Sequence, residues 1–372
     1  MRVLVVNAGS SSLKLRLLGD DDGILASTDL PAPGGSADRA RMAAAIAGMG
    51  PVDAVGHRIV HGGTQFVTPV RIDRDVVERL RALTDLAPLH QPKSLAALAA
   101  VEAVLPDVPA VACFDTAFHA SMPEGASTYA LPAAWRSRWA LRRYGFHGLS
   151  HAYASRRAAR MVERPLEELR IVTCHLGAGA SLAAVRGGHS VDTTMGFTPL
   201  EGLVMATRSG SVDPGLVLWL EEHVGTPPAE LAATLEHRSG LLGLAGTADM
   251  RVIIARAGEG DPRASLALDV YLHRLRGSIG AMTASLGGLD VLVFTGGVGE
   301  RAPDVRERAA DGLDFLGVSL DRGRNRALQG EGDIGAKGAT VRAVVVEARE
   351  DLEIAHQVRE VLGGGPAERD RV

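Results

Sequence analysis

The residues best suited to chemistry lie in three turns of small side chains, each following a short apolar run. The first is Asn7-Ala8-Gly9-Ser10-Ser11-Ser12, after Val3 to Val6. The second is His175-Leu176-Gly177-Ala178-Gly179-Ala180-Ser181, after Ile171 to Cys174. The third is Thr295-Gly296-Gly297-Val298-Gly299-Glu300, after Asp290 to Phe294. With no bulky side chain in the way, such turns bring backbone N–H groups close to an anion. The serines of the first turn add hydroxyls suited to a phosphate. His57, His61, His90, His119, His147, His151 and His175 fall in loops and at strand ends, several beside Arg58, Arg142 or Arg143. Together they suit the lining of an anionic site. Asp115-Thr116-Ala117-Phe118-His119 sits just past a further apolar run, where α/β proteins place ligand contacts.

Other chemistries fit less well. No G-x-x-x-x-G-K-[ST] occurs, which excludes a P-loop, and no Cys/His pairing has zinc spacing. Ser10 to Ser12 lack a G-x-S-x-G elbow, so they are not read as nucleophiles. Gly297-x-Gly299-x-x-Ala302 superficially fits a dinucleotide fingerprint, but it comes late and no βαβ unit with a well-placed acid follows it. Net charge is −4, which gives no reason to expect nucleic acid or an anionic membrane as partner, so any anion handling must be local. No run approaches the roughly 18 apolar residues of a membrane span. Cys113 and Cys174 each follow strand-like runs and are expected as buried free thiols in a reducing, cytoplasmic setting.

The elements that must position these residues alternate between strands and helices. At 372 residues with 46% hydrophobic content, two domains are expected. Leu13, Leu15 and Leu17 alternate with Lys14 and Arg16, so the first turn is the tip of a hairpin. Residues 53–60 and 108–114 read as strands, and 75–86 and 95–105 as helices separated by a proline-rich loop at 87–92. A helix is expected at 150–161. Strand, glycine-rich turn and strand then recur from Arg170 to Val185, mirroring the opening hairpin and suggesting an internal duplication. Helices follow at 216–224, 264–286 and from Pro303, with strands at 290–294 and 341–346. A helix at 350–362 precedes a polar tail, 363–372, expected to be disordered.

Taken in order, these motifs resemble the acetate kinase family of the acetate and sugar kinase/actin-like superfamily, over nearly the whole chain. The matching blocks are VLVVNAGSSSLK at Val3, VGHRIVHGG at Val55, LAPLHQP at Leu86, FDTAFH at Phe114 and RRYGFHGLSH at Arg142. HLGAGAS at His175, TRSG at Thr207, SGLLGLAGTADMR at Ser239, FTGGVGE at Phe294 and REDLEIA at Arg349 continue the series. The resemblance implies an α/β fold of two actin-like (ribonuclease H-like) domains from a duplicated core, with a nucleotide cleft between them. The boundaries expected are 1–118 completed by the helix 349–362, and 119–348 as the nucleotide-binding domain.

The reaction so implied moves the γ-phosphoryl of ATP to acetate, reversibly giving acetyl phosphate and ADP. By resemblance, Arg58, Asp115, His147 and Arg208 are catalytic, and Arg58, Val60, Leu89, Phe146 and Pro199 bind the acyl substrate. Nucleotide contacts fall to Ser10, Ser12, Lys14, His175, Gly177, Gly179, Asp249, Arg251, Gly297, Val298 and Gly299. Asn7 and Glu350 would hold Mg2+, with Mn2+ as the substitute and Asp351 as the alternative acid. The family implies a homodimer. Propionate, butyrate or another short-chain carboxylate is the alternative acceptor, and a silent nucleotide-binding protein the remote one. Ala178, Arg301, Gln91, Leu149 and Ala348-Arg349 depart from the family pattern, and the first two fall where the nucleotide would bind.

Overall fold

The computed structural model describes residues 1–9, 12–31, 39–86 and 91–363. It forms two compact units: Met1–Ala120 with Gly148–Tyr153 and Arg349–Val372, and Ser121–His147 with Ala154–Ala348. The remainder of the polar tail, 364–372, lies outside the described residues, while Gly363 closes the final helix.

The first unit is organised on β1 (Val3–Ala8), β2 (Ser12–Leu18), β3 (Ile24–Pro31), β4 (Ala54–Ile59), β5 (Val70–Arg71) and β6 (Ala110–Phe114). Their order in the sheet is β3-β2-β1-β4-β6-β5. β1 is antiparallel to β2 and parallel to β4, and β4 is parallel to β6. The second unit has β7 (Arg170–Leu176), β8 (Ala180–Arg186), β9 (His189–Thr193), β10 (Val291–Thr295), β11 (Gly332–Asp333) and β12 (Arg342–Val345). Its order is β11-β12-β10-β7-β8-β9. Read from the hairpin outward, the two sheets are the same construction: an antiparallel meander of three strands, two further parallel strands, and a short antiparallel edge. The duplication suggested by two glycine-rich hairpins therefore extends to whole sheets, and the fold is the two-domain actin-like α/β class.

Both faces of the first sheet are covered, which is why β1 reads as a continuous apolar run instead of an alternating one. On one face Leu4, Val6, Leu13, Leu15 and Val55 pack with Met42, Ile46 and Val101 from the helices Arg39–Ala47 and Gln91–Glu102. On the other, Val3, Val5, Val111 and Cys113 meet Ile354, Ala355 and Val358 of the last helix, Glu350–Gly363. Gly56 is where that helix presses closest: a Cβ there would overlap the Ile354 and Val358 methyls. Burial leaves Cys113 and Cys174 as free thiols and pushes both thiols above their ordinary value.

Several expected elements shift. The helix expected from Leu95 starts at Gln91, so Gln91 and Pro92 open a helix and do not belong to a loop, as Pro is well tolerated in a first turn. The helix expected over 75–86 is Arg74–Ala82, followed by a separate 3-10 turn, Thr84–Leu86. The third glycine-rich turn is a short helix, Gly296–Arg301. β3 had no counterpart in the expected elements. As a sheet edge it has three half-buried residues among eight and none fully buried, so it carries no strong apolar pattern. No helix among the described residues is long and apolar enough to cross a membrane.

Two histidines make the first unit sensitive to acid. Burial pushes the imidazoles of His57 and His61 down to about 4, from an ordinary 6.5. Between those values the unfolded chain takes up protons that the folded chain refuses, so stability falls as pH drops from 6.5 towards 4. Each contributes up to about 1.4 kcal/mol per pH unit. The urea midpoint is expected to fall steadily from pH 7 to pH 5, and less steeply in His57→Gln. A midpoint flat across that range would contradict the assignment.

Candidate active site

In the first unit, three neighbouring parallel strands end side by side and carry three of the sequence-derived candidates. Asn7 lies near the end of β1, Arg58 near the end of β4, and Asp115 one residue past β6. The Asp115 N–H donates to the Ile59 carbonyl at 3.0 Å, which continues the β4–β6 ladder and fixes where the carboxylate stands. Arg58 is gripped in a fork: Nε donates to Asp115 Oδ1 at 3.0 Å and Nη2 to Oδ2 at 2.6 Å. Its Nη1 donates to Asn7 Oδ1 at 3.0 Å and lies 3.6 Å from Glu350 Oε2. Asn7 Nδ2 in turn donates to the same Glu350 oxygen at 2.9 Å. Glu350 opens the final helix, so packing of that helix on the sheet delivers it to a residue 343 positions earlier. Its neighbour Asp351 is engaged by Arg349 instead.

The electrostatics follow from burial and pairing. Desolvation alone would lower the Arg58 guanidinium, but Asp115 and Glu350 outweigh it and hold it above its ordinary value, so it is permanently charged. Burial pushes the Asp115 carboxyl above its ordinary value, against the pull of Arg58 and with Glu350 adding to the rise. One cation thus faces two acids. The oxygens of Asn7 and Glu350 are hard donors of the kind Mg2+ takes. Among the described residues no group of three or more His, Cys, Asp or Glu is arranged to hold a metal ion. These two residues therefore fit Mg2+ as an ion that keeps most of its water, not as a closed cage.

The second unit assembles a separate group of Arg208, His147 and His175. His147 has φ 56°, in the left-handed region that costs a non-glycine residue energy, and its Nδ1 lies 2.9 Å from Ser181 Oγ. Its ring stacks on His175 with centroids 4.3 Å apart. Gly179 lets this happen: a Cβ there would stand 3.3 Å from both the His147 ring and Arg208 Nη1. Arg208 is held by Glu236 through Nε at 2.8 Å and reaches the Pro199 carbonyl with Nη1 at 3.4 Å. The Ala206 N–H donates to the Ala178 carbonyl at 3.1 Å, tying the arginine's loop to the second glycine-rich turn.

The remaining candidates are placed as follows. Val60 and Phe146 are buried and Pro199 half-buried. Ser12 is half-buried, and Lys14 is exposed on β2, opposite Asn7 in register. Gly177 closes the second turn by donating its N–H to the Gly179 carbonyl at 2.9 Å. Asp249 caps the helix Met250–Gly258 by accepting from the Arg251 N–H, and also pairs with the Arg251 guanidinium at 2.6 Å. That side-chain bond holds the Asp249 carboxyl down, at about 2. Gly297, Val298 and Gly299 lie within the helix Gly296–Arg301. Ser10 and Leu89 lie outside the described residues.

Sequence reasoning missed three residues of these groups. Glu236 anchors Arg208 across 28 positions, and no spacing in the chain announces it. Ser181 ends the second turn, where its hydroxyl could have been read as a partner for a nearby histidine. Arg306 is fully buried and donates from Nη1 to the carbonyls of Gly299 and Glu300 at 2.8 Å, bracing the third glycine-rich segment.

Comparison with known proteins gives consistent results. A family model described as "Acetokinase family" matches residues 37–356. An acetate kinase of Microcystis aeruginosa is 50% identical, over 84% of this chain and 78% of that protein. The crystal structure of Porphyromonas gingivalis acetate kinase matches with a TM-score of 0.89 at 36% identity, covering 97% of this chain and 99% of that one. A propionate kinase from Francisella tularensis also matches at 0.89, with 33% identity and the same coverage.

The Arg58–Asp115 pair is buried deeply enough that losing one partner should be costly. Asp115→Ala strands a guanidinium in a partly desolvated site and is expected to cost about 3–5 kcal/mol in urea unfolding. The double variant Arg58→Met/Asp115→Leu should cost less than the single variants added together. A single-variant loss below about 1 kcal/mol, the level of a surface pair, would show that the fork contributes little.

Proposed function

This chain belongs to the Acetokinase family, and from that premise we propose that it transfers the γ-phosphoryl of ATP to acetate, reversibly forming acetyl phosphate and ADP. It is an enzyme, a phosphotransferase with a carboxyl group as acceptor. The structural observation that carries the reading is the permanently charged Arg58, locked in place by Asp115 at the end of β4.

Acetate is already ionised near pH 7, since carboxylic acids titrate at about 4. No general base is needed. The obstacle is repulsion between two anions, so catalysis falls to alignment and to positive charge around the transferring phosphoryl. Arg58 and Arg208 supply that charge, and a guanidinium suits it because its planar fork meets several oxygens without losing its proton. Asp115 and Glu236 are positioning residues that orient the two guanidinium groups. In the tautomer whose Nδ1 accepts from the Ser181 hydroxyl, His147 carries its proton on Nε2 and would donate to the equatorial phosphoryl oxygens. Val60, Leu89, Phe146 and Pro199 give the acceptor's methyl group apolar surroundings. Gly177, Gly179, His175 and the residues from Gly297 to Gly299, with Ser10, Ser12, Lys14, Asp249 and Arg251, serve the nucleotide. Asn7 and Glu350 would hold Mg2+, or Mn2+ in its place, through water. When bound, that ion neutralises phosphate charge.

Three broader features belong to the same reading. The buried free thiols suit a reducing compartment such as the cytoplasm. The helix Pro214–Val224 exposes Leu216, Leu218, Trp219 and Val224 around its circumference, apolar surface whose exposure supports a homodimer. The likeness to a propionate kinase favours propionate as the second candidate acceptor. One methylene in an apolar pocket shifts discrimination by only about 1–3 kcal/mol.

A hydroxamate assay with C2 to C4 acids and a panel of nucleotide donors tests these assignments. Acetate with ATP should give the highest kcat/KM; a clear preference for propionate would move the chain to the second reading. Nucleotide binding without any acyl phosphate would overturn both. Arg208→Ala should lower kcat by about 100- to 1,000-fold with the fold intact, because the lost charge acts mainly in the transition state. Glu236→Gln should lower it by about 10- to 100-fold through misplacement of Arg208. A near-normal kcat in either variant would remove that residue from the mechanism.

A further inference from the structure

The first unit contains a cavity of about 200 Å³ that the transfer reaction does not use. It opens between β4, the helix Gln91–Glu102 and the segment 105–110 that leads into β6. Asn7, Arg58 and Asp115 stand at or near the C-terminal ends of the parallel strands, whereas this cavity takes in the start of β6 and the turn before it. His57 lines it while only 3% exposed, and its imidazole has no hydrogen-bond or ion-pair partner among the described residues. A buried polar group in that state is costly unless something in the cavity satisfies it. Buried Leu98 and Val101 supply apolar wall beside it. The rim carries both signs: Arg71 on one side of the charge balance, Glu102 and Asp107 on the other, all exposed and none in an ion pair among the described residues.

These features narrow the ligand. The volume equals roughly six or seven waters and is smaller than the ~300–1,000 Å³ typical of drug-sized ligands, so a nucleotide does not fit. A rim with a free guanidinium and free carboxylates suits a zwitterion, whose two charged groups meet opposite partners. At neutral pH the imidazole is uncharged, because burial holds it down at about 4, so it presents one donor and one acceptor. The inner end of the ligand should therefore carry a neutral hydrogen-bonding group.

We propose that this cavity binds a small α-amino acid with an uncharged polar side chain. Its carboxylate meets Arg71, its ammonium meets Glu102 and Asp107, and its side chain runs past Leu98 and Val101 to His57. Because His57 immediately precedes Arg58 in β4, an occupant would hold the strand that carries the arginine.

Calorimetric titration of the full chain with L-glutamine and L-threonine, in the presence of saturating ADP and acetate, tests the site independently of turnover. Saturable binding of at least one of them is expected, weakened tenfold or more by Arg71→Gln and by Asp107→Asn. Both changes are at exposed positions, so the fold should persist, and unchanged urea midpoints check that. The N-acetyl and carboxamide derivatives, each lacking one charge, should bind at least tenfold more weakly. Absence of binding by both amino acids overturns the proposal. So does binding that ignores both rim substitutions, or binding in which the derivatives match the parent compounds.

Discussion

Keeping the Arg58 guanidinium charged while it is buried is the constraint that organises this end of the first unit. A guanidinium taken out of water needs carboxylate partners, yet each partner spends part of the attraction that substrates would feel. The observed compromise gives one edge of Arg58, Nε and Nη2, wholly to Asp115, while Nη1 is shared by Asn7 and Glu350. Two carboxylates, Asp115 and Glu350, thus lie against the one guanidinium. In the proposed reaction an Mg2+ held through water by Asn7 and Glu350 would add positive charge where the opening strand and the closing helix meet. The second unit meets the same constraint with less burden: among the described residues Arg208 has a single carboxylate partner, Glu236, and it lies near two stacked imidazoles.

The duplicated sheet explains how such groups are built from distant segments. In each unit a hairpin's first strand lies beside two parallel strands, and polar residues collect where those strands end. Asn7, Arg58 and Asp115 are one such collection, from three adjacent strands. His175 and the turn after β7, with the helix that follows β10, occupy the corresponding positions in the second unit. The repeat supplies a scaffold twice, and different side chains at the strand ends give the two copies different work.

Much of this was legible from residue types. The glycine-rich turns marked strand ends, and the apolar runs located β1, β4, β6, β7 and β10 because buried parallel strands need unbroken apolar character. The carboxylate–arginine fork was only half legible: Asp115 could be assigned to an arginine or to a metal, and coordinates were needed to show it gripping Arg58. Glu236 was invisible, since nothing local ties an acid on one helix to an arginine in a loop 28 residues earlier. The third glycine-rich segment read as a turn because three glycines argue against a helix. Its helix is held instead by buried Arg306, a tertiary contact that no local preference encodes. That the His57 imidazole has no partner among the described residues was likewise hidden, because a histidine in a strand gives no sign of lining a cavity.

In the proposed reaction the charge of Arg58 is what acts on the transferring phosphoryl, and that claim is central. Turnover of Arg58→Ala, measured as hydroxamate formed with and without added guanidine, addresses that claim directly. The prediction is a loss of several orders of magnitude, partly restored by guanidine. Turnover close to that of the parent chain, with no guanidine present, would contradict it.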